Sequence, residues 1–318
     1  MKWKKRGKIF DPSTHNWSGD FIGFAMGPQT IVFDDFVRIY FSIRKRDNIG
    51  KFISHIQFVD FDKDFKNILK ISNHNVFGPG KLGCFDEHGI FPMNVIRYQG
   101  KILGYTNGVT RRTSVAVETG IGYAISHDQG NTFERIGDGP VMSATTHEPV
   151  LVGDPFVKII DEVFHMWYIF GIGWKKYSED SPPDRIYKIG HATSNDGINW
   201  KKEDGKTIIC DKLNEDECQA LPTVINFRNR FHMYFCYRGS ADFRKNKNNA
   251  YRIGYAYSDD LKSWIRDDRL AGIDVSESGW DSDMQCYPHV FEMDGKIYML
   301  YNGNEFGKYG FGLAELEI

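Results

Sequence analysis

The sequence lacks the long apolar segments that would place a chain in or across a membrane. No run of about 18 apolar residues occurs, and the N-terminal Met-Lys-Trp-Lys-Lys-Arg has no apolar stretch of the kind that a secretory signal needs. The five cysteines show no Cys-x-x-Cys spacing, so we expect reduced thiols and no disulfide framework. These absences predict a cytoplasmic protein without a membrane partner.

An excess of charge of one sign is also missing. The 318 residues carry a formal charge of −2, which provides no bulk electrostatic attraction to polyanions. We therefore expect no nucleic-acid partner.

Common short motifs for catalysis and cofactor binding are absent. There is no G-x-S-x-G, and Gly120-x-Gly has no helical pattern after it, which excludes a serine-hydrolase elbow and a phosphate loop. The candidate ligands for a transition metal lack the spacing of a compact site; they are His88, His147, Cys218, Cys286 and His289. We expect no bound metal and no cofactor for catalysis.

Aromatic residues are abundant, at 15% of the chain, which favours strands and an aromatic-lined surface over helical bundles. One phrase recurs among them. Ile253-Gly-Tyr-Ala-Tyr-Ser-Asp-Asp-Leu-Lys-Ser-Trp264 matches residues 189–200 and, with one residue added, 121–133, and its opening recurs at residue 311. Each copy is typical of a short strand, a polar turn and an aromatic residue that begins another strand. The starts are 68, 64 and 58 residues apart, which indicates one repeated unit.

Hairpin signals before the phrase complete the unit. Phe33-Asp-Asp-Phe36, Tyr98-Gln-Gly-Lys101 and Met293-Asp-Gly-Lys296 each join two strand-like runs. Five units of four antiparallel strands predict an all-β fold, a five-bladed β-propeller, as a single domain over residues 1–318. The units span roughly 27–80, 84–140, 147–210, 217–272 and 280–318 together with 3–10.

The N-terminal strand is predicted to close the ring. The last unit ends after its third strand, and Trp3 to Phe10 resembles the fourth strand that begins at Trp200. We expect residues 3–10 to pair with the 296–317 region. Two insertions, 173–184 and 240–249, lengthen the connections between the second and third strands on the face where propellers bind ligands.

Acidic residues precede the prolines of several first strands. Glu87, Glu217 and Asp283 each lie five residues before a proline, and Asp154 lies directly before Pro155. First strands of a propeller meet at its axis, so we predict that these carboxylates converge at one mouth, with Asp86 beside them. Crowded carboxylates have different pKa values, as an acid/base pair for glycosidic cleavage requires. The alternative is that they cap turns or bind a structural cation on the propeller axis.

Planar polar side chains follow the second strands and provide candidate contacts for a saccharide. The predicted substrate-binding residues are Asp86, His88, Arg44, Asn107, Arg238, Asp283, His289 and Asn302. Hydrogen bonding and salt bridging between blades is the alternative role for these side chains.

The repeats and the Tyr301-Asn-Gly-Asn304 loop resemble the five-bladed β-propeller glycosidases, which include arabinanases and β-xylosidases, fructan hydrolases and mannoside phosphorylases. The resemblance implies an acidic triad from the first three inner strands. Asp154-Pro155 matches the Asp-Pro element, and Glu217-Cys218 is similar to the Glu-Cys of the fructan hydrolases. The first unit, with Ala25-Met-Gly-Pro-Gln29, has no acid, so units two to four supply the triad as Glu87, Asp154 and Glu217.

The predicted function is glycosidic bond cleavage in a small saccharide, and an acidic saccharide would suit the arginines. Glu217 is the predicted proton donor, Glu87 the base and Asp154 the tuning carboxylate. One alternative is a glycoside phosphorylase in which Arg238 and His289 hold phosphate. The other is a non-catalytic carbohydrate-binding propeller, which the missing acid of the first unit favours.

Overall fold

Five four-stranded antiparallel sheets form the protein in a computed structural model that describes residues 1–17 and 20–317. The first strand of each sheet contacts the first strand of the next, and the last contacts the first, which closes a ring. The predicted five-bladed β-propeller is therefore confirmed. No helix in the described part of the chain is long and apolar enough to cross a membrane.

The strands follow one another from the axis outward, except that the outermost strand of blade 5 comes from the N-terminus. That strand is β1 (Trp3–Phe10). Blade 1 contains β2 (Met26–Val32), β3 (Val37–Arg46), β4 (Phe52–Phe61) and β5 (Ile68–Ile71). Blade 2 contains β6 (Ile90–Tyr98), β7 (Lys101–Arg111), β8 (Val117–Ser126) and β9 (Glu134–Arg135). Blade 3 contains β10 (Val152–Ile160), β11 (Val163–Lys175), β12 (Asp184–Ser194) and β13 (Lys201–Lys202).

Blade 4 contains β14 (Cys218–Phe227), β15 (Arg230–Arg238), β16 (Arg252–Ser258) and β17 (Ile265–Arg266). Blade 5 contains β18 (Cys286–Met293), β19 (Lys296–Asn302) and β20 (Phe311–Leu316), with β1 outermost. Within the described residues, three short 3-10 helices connect strands, at Pro12–Thr14, Asp268–Leu270 and Asn304–Gly307. The predicted hairpins are confirmed; in two of them, Gln99-Gly100 and Asp294-Gly295, both turn residues have positive φ, as a type I′ turn requires.

The N-terminal strand closes the ring as predicted. β1 pairs antiparallel with β20, with Trp3 opposite Leu316 and Lys5 opposite Ala314. The Trp3 side chain is buried and packs edge-on against Tyr234 of blade 4, so it also joins blades 4 and 5.

The recurring phrase forms the third strand of a blade and the turn that leaves it. In blade 3 the Asp196 carboxylate accepts hydrogen bonds from the backbone N–H groups of Ile198 and Asn199, and these bonds lower its pKa. Gly197 has φ +74°, and a side chain there would collide with the Tyr105 hydroxyl, which donates to its carbonyl. The turn of blade 3 therefore packs on blade 2, which gives the repeated turn a structural role between blades.

A kink in the inner strands positions the functional site. In every blade the register of the first two strands shifts where an X-Pro step occurs. The residue before proline has positive φ in four of the five blades, namely Gly27, Asp154, Leu221 and Tyr287. Such a backbone is uncommon for residues other than glycine and is often found at functional sites. We therefore expect a functional site at the height along the propeller axis where the inner strands are kinked.

Candidate active site

A cavity of ≈ 220 Å³ lies at the end of the axis where the inner strands begin. Three residues that precede inner-strand prolines, Phe91, Asp154 and Tyr287, line it. The other lining residues come from the second and third strands of blades 1 to 3, the loops before the inner strands and the residue before β16; they are Arg44, Phe52, Ser54, His88, Asn107, Val109, Val117, Thr119, Leu151, Ile169, Arg185, Tyr187 and Tyr251. A cavity smaller than the roughly 300–1,000 Å³ of drug-sized sites suits a small ligand.

Asp154 is the carboxylate of this lining. Its side chain is buried, and burial raises its pKa to about 7. The Arg185 guanidinium, the backbone N–H of Leu221 and the Asn107 amide oppose that rise because each favours the charged form. The balance leaves a carboxyl group that exchanges its proton near neutral pH.

Asn107 orients this carboxyl group. Its Nδ2 donates to Asp154 Oδ1 at 3.3 Å and also to the carbonyl of Phe91, while its Oδ1 is buried without a partner among the described atoms. Gly153 is required beside it, since a Cβ at position 153 would lie 2.6 Å from Asn107 Oδ1. The amide is therefore held in place by the backbone on which Asp154 lies.

Three arginines surround the cavity without a carboxylate partner. Arg44 and Arg185 line it, and Arg238 is buried behind Tyr187, to whose hydroxyl it donates at 3.1 Å. No carboxylate of a described residue lies within salt-bridge distance of these three guanidinium groups. A pocket with these cations and one carboxylate favours an anionic ligand.

Tyrosines form one wall of the cavity. The hydroxyls of Tyr187 and Tyr251 are 2.6 Å apart, and burial raises the pKa of both, as it does for Tyr287. They are therefore neutral and can both donate and accept hydrogen bonds. Tyr187 and Tyr251 each lie two residues before the Ile-Gly pair that opens the recurring phrase. The lining residue Thr119 occupies the same position in blade 2, so the repeat places these three residues at equivalent positions of their blades.

Glu217 lies outside the cavity, so the predicted convergence of the acids needs correction. Its buried carboxylate accepts hydrogen bonds from the backbone N–H groups of Lys212 and Leu213, each at 3.0 Å. The side chains of Gln219 and Arg266 donate to its other oxygen. With both oxygens occupied, Glu217 joins the loop before β14 to the outermost strand of its blade.

The same connection recurs around the ring. A buried acid before the first strand pairs with a basic residue on the outermost strand of the same blade in blades 2 to 5; the pairs are Asp86–Arg135, Glu148–Lys202, Glu217–Arg266 and Asp281–Lys5. Blade 1 shows no such pair among the described residues. Of the acids singled out in the sequence, Asp86 and Glu217 therefore belong to this structural connection, and neither lines the cavity.

Glu87 and Asp283 also lie outside the cavity lining. Glu87 accepts a hydrogen bond from the backbone N–H of Gly83 at 2.8 Å, and its other oxygen is 3.4 Å from Nδ1 of the cavity residue His88. Asp283 forms an exposed ion pair with Lys247 at 3.0 Å. Of the predicted triad, only Asp154 lines the cavity. Asp154 lies directly before its proline, at the kink, whereas Glu87 and Glu217 lie five positions before theirs.

His289 and Asn302 connect blades. His289 Nε2 accepts a hydrogen bond from the backbone N–H of Thr30 at 3.1 Å, toward the far end of the axis, and burial lowers its pKa to about 3. Asn302 Oδ1 accepts from the N–H of Gly27, and its Nδ2 donates to the carbonyls of Ala25 and Gly310. These contacts match the alternative role, hydrogen bonding between blades.

Of the predicted substrate-binding residues, the structure brings Arg44, His88 and Asn107 to the cavity, and it places Arg238 directly behind it. The sequence reasoning missed Arg185 and the tyrosines. Tyr287 occupies the position of Asp154, directly before a proline, and that shared position is the signal that would have identified it. Among residues 1–17 and 20–317, no group of three or more His, Cys, Asp or Glu side chains is placed to hold a metal ion.

Sequence comparison identifies close relatives of the whole chain, although no protein-family model matches it. The uncharacterized protein Rv1502 of Mycobacterium tuberculosis strain H37Rv is 35% identical over 321 residues, covering 100% of both chains, and so is the uncharacterized protein MT1551 of strain CDC 1551. The 1,2-beta-oligomannan phosphorylase of Thermoanaerobacter sp. strain X514 is 28% identical over 201 residues, 62% of this chain and 58% of that one.

Solved structures share the fold along nearly all of the chain. A glycoside hydrolase has a TM-score of 0.75 at 15% identity, with 99% of this chain and 93% of that chain covered. A thermostable family-43 glycoside hydrolase has a TM-score of 0.61 at 14% identity, with 96% and 92% covered. The resemblance to five-bladed β-propeller glycosidases is thus confirmed in the fold.

Proposed function

This chain belongs to the family of the two Mycobacterium tuberculosis proteins, and we propose that it cleaves a glycosidic bond with Asp154 as the general acid. The environment of Asp154 carries the proposal, since a buried carboxyl group with a pKa of about 7 lines the cavity. Such a group is substantially protonated at neutral pH and can transfer its proton to a leaving oxygen. The propeller fold that the chain shares with glycoside hydrolases supports the same conclusion.

In the proposed step, the bond between the anomeric carbon and the glycosidic oxygen breaks as the Asp154 proton passes to that oxygen. A water molecule forms the new bond to the anomeric carbon and releases its proton to the solvent; in phosphorolysis a phosphate ion takes its place. Asp154 becomes a carboxylate, which Arg185 and the Asn107 amide stabilise because both favour its charged form. Tyr187, Tyr251 and Tyr287 offer aromatic faces and neutral hydroxyls to the sugar ring.

Phosphorolysis is the second candidate, favoured by the lack of a second carboxylate among the described lining residues. Glycoside hydrolases typically use a second carboxylate about 5–9.5 Å from the first, as nucleophile or base. A phosphate ion is already an anion and can attack the anomeric carbon directly, giving a glycosyl phosphate and the free alcohol. Arg185 would hold this ion beside Asp154, in place of the predicted pair Arg238 and His289. The similarity to the 1,2-beta-oligomannan phosphorylase also supports this candidate.

The test is a panel of aryl glycosides and manno-oligosaccharides, incubated with and without inorganic phosphate, with the products identified. Cleavage of a manno-oligosaccharide that Asp154→Asn slows by about 10²–10⁴-fold is the expected result. Dependence of the rate on phosphate, with glycosyl phosphate as product, would assign phosphorolysis, and cleavage without phosphate would assign hydrolysis. Oligosaccharide binding without turnover would instead identify a carbohydrate-binding propeller.

A further inference from the structure

Arg44 is a half-buried cation without a hydrogen-bond acceptor among the described residues. No side-chain hydrogen bond or ion pair joins its guanidinium to a described residue, and its Nε is buried without a partner. The group lies over the rings of Phe24 and Phe52, with 4.5 Å and 4.8 Å from its Cζ to their centroids. Aromatic faces attract the charge but accept none of the conventional hydrogen bonds that a guanidinium group can donate.

Arg244 repeats this arrangement on the insertion at 240–249. Its Cζ is 4.3 Å from the Phe243 ring centroid and 5.6 Å from that of Phe306, and its side chain has no ion pair with a described residue. The Cζ of the buried Arg238 is 3.6 Å from the same Phe243 centroid, so two guanidinium groups contact one ring. Two like charges over one ring repel one another, and a bound anion would offset that repulsion.

Phe24, which contacts Arg44, and Phe306, which contacts Arg244, lie on neighbouring segments of the chain. The backbone N–H of Ala25 donates to the carbonyl of Gly307 at 2.8 Å, which brings the neighbouring residues Phe24 and Phe306 together. Both phenylalanines have positive φ, at +67° and +58°. This conformation is rare for a bulky residue and is typical of functional sites. Burial lowers the pKa of Arg44, and the nearby charge of Arg244 lowers it further, as expected of two cations that act on one another.

We propose that Arg44 and Arg244 form an arginine clamp for an oxyanion, a phosphate or carboxylate group, at the edge of the cavity. The clamp opens on the same cavity as Asp154, because Arg44 and Phe52 line it. The assignment deepens the proposed function, on which it rests, since it makes the substrate an anionic saccharide. Two sources share this chemistry, a charged group on the sugar and free inorganic phosphate.

The experiment measures binding by calorimetry in the Asp154→Asn background, where no turnover is required. Glucose 6-phosphate, mannose 6-phosphate and glucuronic acid are compared with glucose and mannose, and sodium phosphate is titrated alone. The anionic sugars are expected to bind at least about tenfold more tightly than the neutral ones, and added salt should reduce the difference.

Arg44→Ala and Arg244→Ala are each expected to remove the preference, whereas Lys245→Ala, an exposed neighbour, should change affinity by less than about twofold. Arg244 is exposed, so its variant is expected to fold even if Arg44→Ala does not. Phosphate that binds alone as tightly as the sugar phosphates, and in the same arginine-dependent manner, would identify free phosphate as the source. Equal binding of anionic and neutral sugars, no binding that depends on these arginines, or a preference that survives both substitutions would overturn the clamp. None of these results depends on whether the wild-type protein cleaves a glycoside.

Discussion

Glu217 and Arg266 form a buried ion pair that joins the loop before the first strand of blade 4 to the outermost strand of the same blade. Both side chains are almost fully excluded from solvent, at 0% and 2% exposure. Burial of a charge is tolerated only where partners satisfy it, and each member of this pair has further hydrogen-bond partners. The pair therefore belongs to the framework of the propeller and not to its pocket.

Replacing Glu217 by glutamine is expected to destabilise the protein by about 3 kcal/mol, because Arg266 loses one buried anion and keeps only Asp268. Chemical denaturation measures this loss. The exposed Glu215→Gln is the matched control and should unfold like wild type. Turnover per folded molecule should persist in Glu217→Gln, and its abolition in a fully folded variant would return Glu217 to the catalytic site.

Closure of the ring can be tested at Trp3. Trp3→Ala removes a buried ring from the interface between blades 4 and 5, and a loss of about 3–5 kcal/mol is expected. The neighbouring Lys4→Ala, at an exposed position of the same strand, should have little effect. A melting temperature of Trp3→Ala equal to that of wild type would contradict the closing role of β1.

The pH dependence of turnover should report Asp154. A general acid acts in its protonated form, so kcat/KM is expected to fall about tenfold per pH unit above a pKa of about 7. A pH–rate profile measures this limb. His88→Gln, which removes the histidine of the cavity lining, should leave the position of the limb unchanged. A limb that moves with His88 would transfer the assignment to that residue.

Gly153→Ala tests the hydrogen bond from the Asn107 amide to the Asp154 carboxyl group. The added Cβ would lie 2.6 Å from Asn107 Oδ1 and displace the amide that donates to Asp154. Because that bond favours the carboxylate, its loss should raise the pKa of Asp154 and move the alkaline limb to higher pH, with a lower kcat. Gly173→Ala is the control, since nothing lies within 4 Å of a Cβ there.

The fold was predictable because its signals are local. The Asp-Gly and Gln-Gly turns and the Ser-x-Asp turn of the repeated phrase each specify structure within a few residues. Repetition then fixed the number of blades. The closing strand was predictable from a comparison of distant segments, because residues 3–10 resemble residues 200–209.

The site was only partly predictable, because a residue's distance from the axis depends on the kink in the inner strand. Asp154 and Glu217 are both acids near an inner-strand proline. Only Asp154, which lies directly before its proline, lines the cavity. A sequence signal for the structural acids exists on the fourth strands. Each has an aromatic residue followed two positions later by the basic partner, as in Phe133-Glu-Arg135 and Trp264-Ile-Arg266. Arg185 carried no such signal, since its role depends on how blade 3 packs around the axis.

The most direct test of the central claim, that Asp154 donates the proton to the leaving group, compares leaving groups in Asp154→Asn. On a glycoside that the wild-type protein cleaves, the kcat of the variant should be about 10²–10⁴-fold lower than that of wild type when the leaving group is an alkyl alcohol that needs protonation. With the dinitrophenyl glycoside of the same sugar, whose leaving group departs without a proton, the loss should be far smaller. An equal loss on both substrates, or no loss on either, would contradict the assignment of Asp154 as the general acid.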